Sequence, residues 1–134
     1  MEIRPYSHCC ESEILPLYKA VGWRNYYEHP EMLRKAYEKS LCILGAYEED
    51  TLVGIIRAVG DGISILFVQD IIVHPRYQRQ GIGTKLVRTL LEQYDHVYQI
   101  QLMTDDAEKT KAFYCSVGFK TVDEFGCCGF VKFN

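Results

Sequence analysis

With 134 residues, 48% of them apolar and 25% charged, the chain has the composition of an ordinary globular domain and the length to bury one core. A net charge of −3 gives no general attraction to nucleic acid, whose binding rests on phosphate neutralisation, and no apolar run approaches the roughly 20 residues of a bilayer span. The opening Met1-Glu2-Ile3-Arg4-Pro5 is not a secretory signal, so the expectation is a single cytoplasmic domain over residues 1–134, with its six cysteines as free thiols.

Glu2 to Tyr6 reads as a short opening strand. Ile14, Leu15, Tyr18 and Val21 then recur at helical spacing. Proline is tolerated in a first helical turn, so Pro16 predicts a helix starting near Ser12 or Glu13, with Ser12 as its N-cap. The stretch from Gly22 to Tyr27 reads as an aromatic loop, in which Trp23, Tyr26 and Tyr27 either cap the core or wall a pocket. A second helix is predicted over Pro30 to Lys39, with Met32, Leu33, Ala36 and Tyr37 on one side. His8-Cys9-Cys10 and Cys127-Cys128 offer metal ligands, but adjacent cysteines lack the C-x2-C spacing of zinc knuckles, and no metal is expected.

Two β-rich runs, Leu41 to Tyr47 and Leu52 to Val59, flank the polar turn Glu48-Glu49-Asp50-Thr51 and read as a hairpin. Gly60-Asp61-Gly62 leads into a third run, Ile63 to Val73, which His74-Pro75 ends. Beyond it, Ile82, Leu86, Val87, Leu90 and Leu91 fall on one helical face and Lys85, Arg88, Glu92 and Gln93 on the other. Val97 to Met103 reads as a further strand, and a helix capped by Asp105 or Asp106 runs to Val117 and stops at Gly118. Strands near Phe119 to Glu124 and Cys128 to Phe133 close the chain. This order predicts a mixed, largely antiparallel α/β sheet with helices on both faces.

Between the third strand and its helix lies Gln78-Arg79-Gln80-Gly81-Ile82-Gly83. Glycines let a ligand approach the main chain, and the first turn of a helix offers unpaired N–H groups at the positive end of its dipole. A phosphate is therefore favoured there, with Arg76 and Arg79 adding mobile charge. A dinucleotide fingerprint would need Gly or Ala where Leu86 stands, and a P-loop would need Gly-Lys-Ser/Thr where the order is Gly83-Thr84-Lys85. An ordinary glycine turn stays open on these residues alone.

The spacing of Gln78, Gly81 and Gly83 after a strand resembles the Q/R-x-x-G-x-G/A motif of the GCN5-related N-acetyltransferases, the GNAT superfamily. Phe113-Tyr114-Cys115-Ser116-Val117-Gly118-Phe119, about 30 residues later, resembles that family's FYxxxGF segment. The element order matches the family over nearly the whole chain. The resemblance implies the acyl-CoA N-acyltransferase fold and acetyl-CoA as cosubstrate, with no metal. It places the thioester carbonyl at the Ile71 backbone and the pantetheine beside Ile72, Val73 and Phe113. Gln78, Arg79, Gln80, Gly81, Ile82, Gly83 and Thr84 would take the pyrophosphate, and Tyr114 would be the general acid.

In such a family the loop carrying Trp23, Tyr26 and Tyr27 contributes to the acceptor site, with Asp70 as a further substrate-side candidate. The implied acceptor is an amine of a small molecule or peptide, attacking directly in a ternary complex; a catalytically silent CoA-binding or regulatory module is the alternative. Two positions depart from the family pattern. Phe67 stands where some protein-acetylating members carry a glutamate base, and Ala107 replaces an asparagine often found before the tyrosine segment. Asp70, His74 or a water chain are the remaining routes for the amine proton. No nucleic acid or membrane partner is expected; the sequence does not decide the oligomeric state, and a homodimer stays open.

Overall fold

Alternating apolar residues build a five-stranded sheet whose strands lie side by side in sequence order: β1 (Glu2–Pro5), β2 (Cys42–Glu48), β3 (Thr51–Gly60), β4 (Ile65–Val73) and β5 (Gln99–Leu102). The first three pairings are antiparallel and the last, β4 with β5, is parallel. A parallel pair needs a crossover, and α4 (Ile82–Gln93) supplies it. The computed structural model describes residues 1–7 and 9–134, which form two compact units, 1–103 and 104–134.

Helices cover both faces of the sheet in the first unit. On one, Ile14, Leu17 and Tyr18 of α1 (Glu11–Ala20) and Leu33 and Tyr37 of α3 (Pro30–Lys39) form a buried cluster with Tyr6, Ile43, Ile55 and Ile72. Successive strand residues point to opposite faces, so Gly54 looks the other way from Ile55. A Cβ there would lie 2.9 Å from the Ile72 carbonyl and 3.4 Å from Leu86 of α4. The missing side chain lets α4 seat closely on the strands whose ends it organises.

Several elements differ from the sequence expectation. Helix α1 begins at Glu11, one or two residues early; Cys10 is its N-cap and makes no side-chain cap bond, while Pro16 sits inside the helix. Pro16 and Ser12 are both exposed, so the ring and the carbonyl it cannot bond lie on the side away from the core. The aromatic loop contains a one-turn helix, α2 (Arg24–Tyr27), closed by the Tyr26 and Tyr27 amides donating to the Trp23 carbonyl. Met32 is exposed, leaving Leu33 and Tyr37 to anchor α3.

In the second unit, α5 (Glu108–Ser116) starts beyond both aspartates predicted to cap it. Ala107 is the N-cap, and Asp106 pairs instead with Lys111 Nζ at 2.6 Å. The two closing strands do not form. Val122–Phe125 is a 3-10 turn ended by Gly126 at φ 71°, and residues 127–134 belong to no helix or strand. Strand-forming side chains make a strand only where a neighbouring backbone completes the ladder. The Cys127 amide instead folds back onto the Val122 carbonyl, and none of residues 128–134 makes a backbone hydrogen bond among the described residues.

Candidate active site

Strand β4 is paired on both sides for only half its length. Leu66–Val68 lie between β3 and β5, but the β5 pairing ends at Val68. On the β3 side, Asp70 is opposite Arg57 and Val68 opposite Ala58, so Gln69 is an extra residue and the strand bulges there. From Gln69 to Val73, β4 keeps β3 as its sole strand neighbour. The His74 amide donates to the Val53 carbonyl at 2.8 Å, which sets the alternation: Ile72 directs its backbone groups to β3, and Ile71 and Val73 direct theirs to the open edge. The Val73 carbonyl accepts from Gln78 Nε2 at 2.9 Å, so Gln78 ties the following turn to this edge.

The turn is shaped to expose main chain. His74 Nδ1 accepts from the Arg76 amide at 3.2 Å, and Pro75–Tyr77 form a 3-10 turn. Arg79 and Gly81 then take left-handed conformations, φ 64° and 81°. Left-handed backbone is costly for a side chain bearing Cβ, and Arg79 adopts it next to a turn already rich in glycine. Gly81 is the N-cap of α4 and supplies no side-chain cap. The first helical bond is from the Lys85 amide to the Gly81 carbonyl, so the amides of Ile82, Gly83 and Thr84 have no intrahelical partner. No acidic side chain occupies that first turn, and a Cβ placed on Gly81 would meet nothing within 4 Å. These amides, with the exposed Arg76, Arg79 and Gln80, make a cationic, open recess suited to a phosphate.

Beneath the bulge lies a buried polar network. Asp70 is 2% exposed, and its Oδ2 accepts from Arg57 Nε and from the Tyr18 hydroxyl, each at 2.7 Å. Tyr18 and Tyr37 share a hydroxyl contact at 3.0 Å, and Arg57 Nη1 donates to Ser40 Oγ at 3.2 Å. No buried side-chain nitrogen or oxygen among the described residues lacks a partner. Burial first, then the Asp70 charge, pushes the Tyr18 phenol far above its usual range, so it remains a donor. Asp70 thus departs from the substrate-side position expected of it: its carboxylate is buried, with Oδ2 engaged by Arg57 and Tyr18.

The aromatic residues divide. The Trp23 and Tyr26 rings pack edge-on against Tyr18 at 5.9 and 5.2 Å, and Tyr27 is half-buried against the same core. Tyr26 also reaches β4, where its hydroxyl accepts from Gln69 Nε2 at 3.0 Å. Gln69 stands at the bulge, at the start of the open edge, and the motif does not mark it. Its one sequence signal is the adjacent polar pair Gln69-Asp70, which breaks the alternation of an otherwise apolar strand. Phe67 lies before the bulge, in the doubly paired half of β4.

Within the second unit, α5 carries Phe113 and Tyr114. Tyr114 is buried, its ring 5.0 Å from Phe113 and 6.0 Å from Phe119. Gly118 at φ 101° reverses the chain, bringing the Phe119 amide onto the Tyr114 carbonyl. Burial, with a smaller contribution from Asp105, pushes the Tyr114 phenol up to about 12; it holds its proton at neutral pH. Among the described residues no three His, Cys, Asp or Glu side chains converge as a metal site, and no helix is long and apolar enough to cross a membrane. His8, one of the ligands considered from the sequence, lies outside the described residues.

Comparison with known proteins bears on the fold and the family. The family model described as an acetyltransferase (GNAT) domain matches residues 12–133. A solved GNAT-family acetyltransferase from Streptococcus pneumoniae TIGR4 superposes with a TM-score of 0.90 at 44% identity, covering 99% of this chain and 97% of that one. An uncharacterized ycf52-like N-acetyltransferase of Prochlorococcus marinus is 27% identical over 88% of this chain and 67% of its own length. A histone acetyltransferase of Glycine max is 35% identical over 58% of this chain, which spans only 33% of that protein. An aminoglycoside 6'-N-acetyltransferase solved with coenzyme A shares the fold at 21% identity, with a TM-score of 0.61 over 71% of this chain and 56% of that one.

Proposed function

The chain belongs to the GNAT acetyltransferase family, and from that premise we propose that it transfers acetyl from acetyl-CoA to a primary amine of a small molecule or peptide, by direct attack in a ternary complex. The observation that carries the reading is the open half of β4, whose Ile71 and Val73 backbone groups face away from β3, joined by the Gln78 tether to the uncapped start of α4. An extended arm ending in a pyrophosphate needs this pairing of a strand edge with an anion recess.

Acetyl-CoA supplies an acyl group activated as a thioester. The Ile71 amide donates to the thioester carbonyl oxygen, where negative charge builds as the amine nitrogen attacks, and a fixed donor at that point lowers the barrier. Ile72 and Val73 lie beside the pantetheine arm, and Phe113 is assigned to it by the motif alone. Gln78, Arg79, Gln80, Gly81, Ile82, Gly83 and Thr84 receive the pyrophosphate. Tyr114 gives its proton to the departing thiolate, a role consistent with a phenol that stays protonated. The amine's proton leaves through water, with His74 as the titratable side chain at the end of the open edge. Phe67 offers no base, and Asp70 is spoken for by Arg57 and Tyr18. Tyr26 and Gln69 border the acceptor side.

The enclosed Asp70 and the apolar Phe67 favour keeping a second reading, a CoA-binding module without turnover. Chromatographic measurement of CoA release against amines, polyamines, aminoglycosides and peptides separates the two. The acetyltransferase reading expects release with at least one acceptor class and a melting temperature raised by acetyl-CoA, since a ligand of the folded state stabilises it. A raised melting temperature without release supports the silent module, and no shift at saturation excludes both.

A further inference from the structure

Acids in the segments that carry Trp23, Tyr26, Tyr27 and Gln69, residues 11–31 and 65–74, are Glu11, Glu13, Glu28, Glu31 and Asp70. Asp70 is buried, with Oδ2 held by Arg57 and Tyr18. Glu28 Oε1 accepts from Arg24 Nε at 3.2 Å and Nη2 at 2.9 Å. Glu31 Oε1 lies 3.7 Å from Arg34 Nη2 and 3.6 Å from Lys35 Nζ. Glu11 and Glu13 belong to the first turn of α1, a helix length from the aromatic stretch that follows its last turn. The turn acids Glu48, Glu49 and Asp50 join β2 to β3, on the paired side of β4. A polycation needs carboxylates to replace the water around each ammonium, and these segments place no unpaired one beside the open edge.

What these segments do offer is aromatic surface and one neutral amide. The Trp23 and Tyr26 rings, both half-buried, lie 6.3 Å apart. The Tyr26 hydroxyl accepts from Gln69 Nε2, which holds the exposed Gln69 at the head of the open edge; its Oε1 accepts no hydrogen bond among the described residues. Such a border suits an N–H group carried on a flat, uncharged body. It also lacks a carboxylate base, since Phe67 is apolar and Asp70 is engaged. A primary alkyl amine has a basicity near that of lysine, ~10.4, so less than about one part in a thousand is neutral and nucleophilic at pH 7. An arylamine shares its lone pair with the ring and is neutral there without a base.

Resting on the acetyltransferase reading, we propose that the acceptor is an arylamine, an uncharged amine on an aromatic body, and that the neutral Gln69 is the residue that selects against polycations. The amine nitrogen bonds the acetyl carbon as the carbon–sulfur bond breaks. The departing thiolate takes the Tyr114 proton, and the proton shed by nitrogen passes to water, from which Tyr114 is reprotonated. Gln69 Oε1 accepts the second N–H of the amine and so turns its lone pair toward the acetyl carbon. The aromatic ring of the acceptor lies against the Trp23 and Tyr26 side.

The test is kcat/KM at pH 7, read as CoA release, for aniline, 4-methylaniline, benzylamine, a lysine-containing peptide, spermidine and kanamycin, in the wild-type chain and in Gln69→Glu. The wild type should favour both anilines over benzylamine and the peptide, and over spermidine and kanamycin by about a hundredfold. Gln69→Glu sets a carboxylate at the head of the edge and should raise the spermidine-to-aniline ratio by about tenfold or more; a ratio is not moved by a fraction of inactive protein. Benzylamine, the peptide or either polycation ahead of the anilines, or an unmoved ratio in Gln69→Glu, overturns the proposal and leaves acetyl transfer standing. Release with none of the six, while acetyl-CoA still raises the melting temperature, overturns the proposal and favours the silent module.

Discussion

The two halves of β4 use the same kind of residue for opposite purposes. Leu66–Val68 lie between two strands and are scaffold; Ile71–Val73, equally apolar, have one strand neighbour, and the backbone groups of Ile71 and Val73 face outward. The side chains do not mark this difference, and the extra residue at Gln69 makes it. A bulge ends one pairing while preserving the other, so a structural strand gains an open edge without a polar side chain at Ile71–Val73. On the proposed function, binding at this edge depends on where the sheet stops.

The largest way to break the comparison is to remove what sits under the bulge. Asp70→Ala leaves the Arg57 guanidinium buried without its carboxylate, which costs roughly 3–5 kcal/mol. Chemical denaturation should show that loss, and Arg57→Met combined with Asp70→Leu should recover much of it. Little loss in the single variant would mean that the pair does not hold the bulge.

Next in size is Tyr114→Phe, which should lower turnover by about a hundredfold while leaving acetyl-CoA affinity nearly unchanged; unaltered turnover would remove Tyr114 as the acid. The same phenol gives a pH signature. Its folded pKa, pushed up to about 12, exceeds the unfolded value near ~10. The stability it contributes is fully present below the unfolded value and is lost as pH rises toward the folded one. Tyr6, Tyr18 and Tyr37 are shifted upward by burial too. Denaturation midpoints should fall steeply above that unfolded value, less so in Tyr114→Phe.

A smaller effect sharpens the role of the turn. Gly81→Val places a β-branched residue at φ 81° and a methyl pair in the recess. Acetyl-CoA affinity should drop about tenfold, about 1.4 kcal/mol. Calorimetric titration giving equal affinities would move the phosphate away from this turn.

Much of this arrangement was legible in the sequence because it is local. The run ending at His74-Pro75, the spacing of Gln78, Gly81 and Gly83, and the apolar face beginning at Ile82 lie within one strand-turn-helix unit. Partners chosen across the chain were not legible. Arg57 and Asp70 are 13 residues apart, and Tyr26 meets Gln69 from 43 residues away; nothing local links either pair. Capping failed at Ser12, Asp105 and Asp106 because the helices begin elsewhere. The closing strands failed for a different reason: Phe130, Val131 and Phe133 carry the right propensity, but propensity does not provide a neighbour.

The central claim is that the upper half of β4 presents alternate backbone groups to acetyl-CoA. Residue-resolved amide hydrogen exchange, with and without saturating acetyl-CoA, tests it directly. The account predicts new protection at Ile71, Val73 and the amides of Gly81 to Thr84, with Ile72 and His74, already bonded to β3, little changed. Binding that leaves Ile71 and Val73 exchanging as before would contradict it.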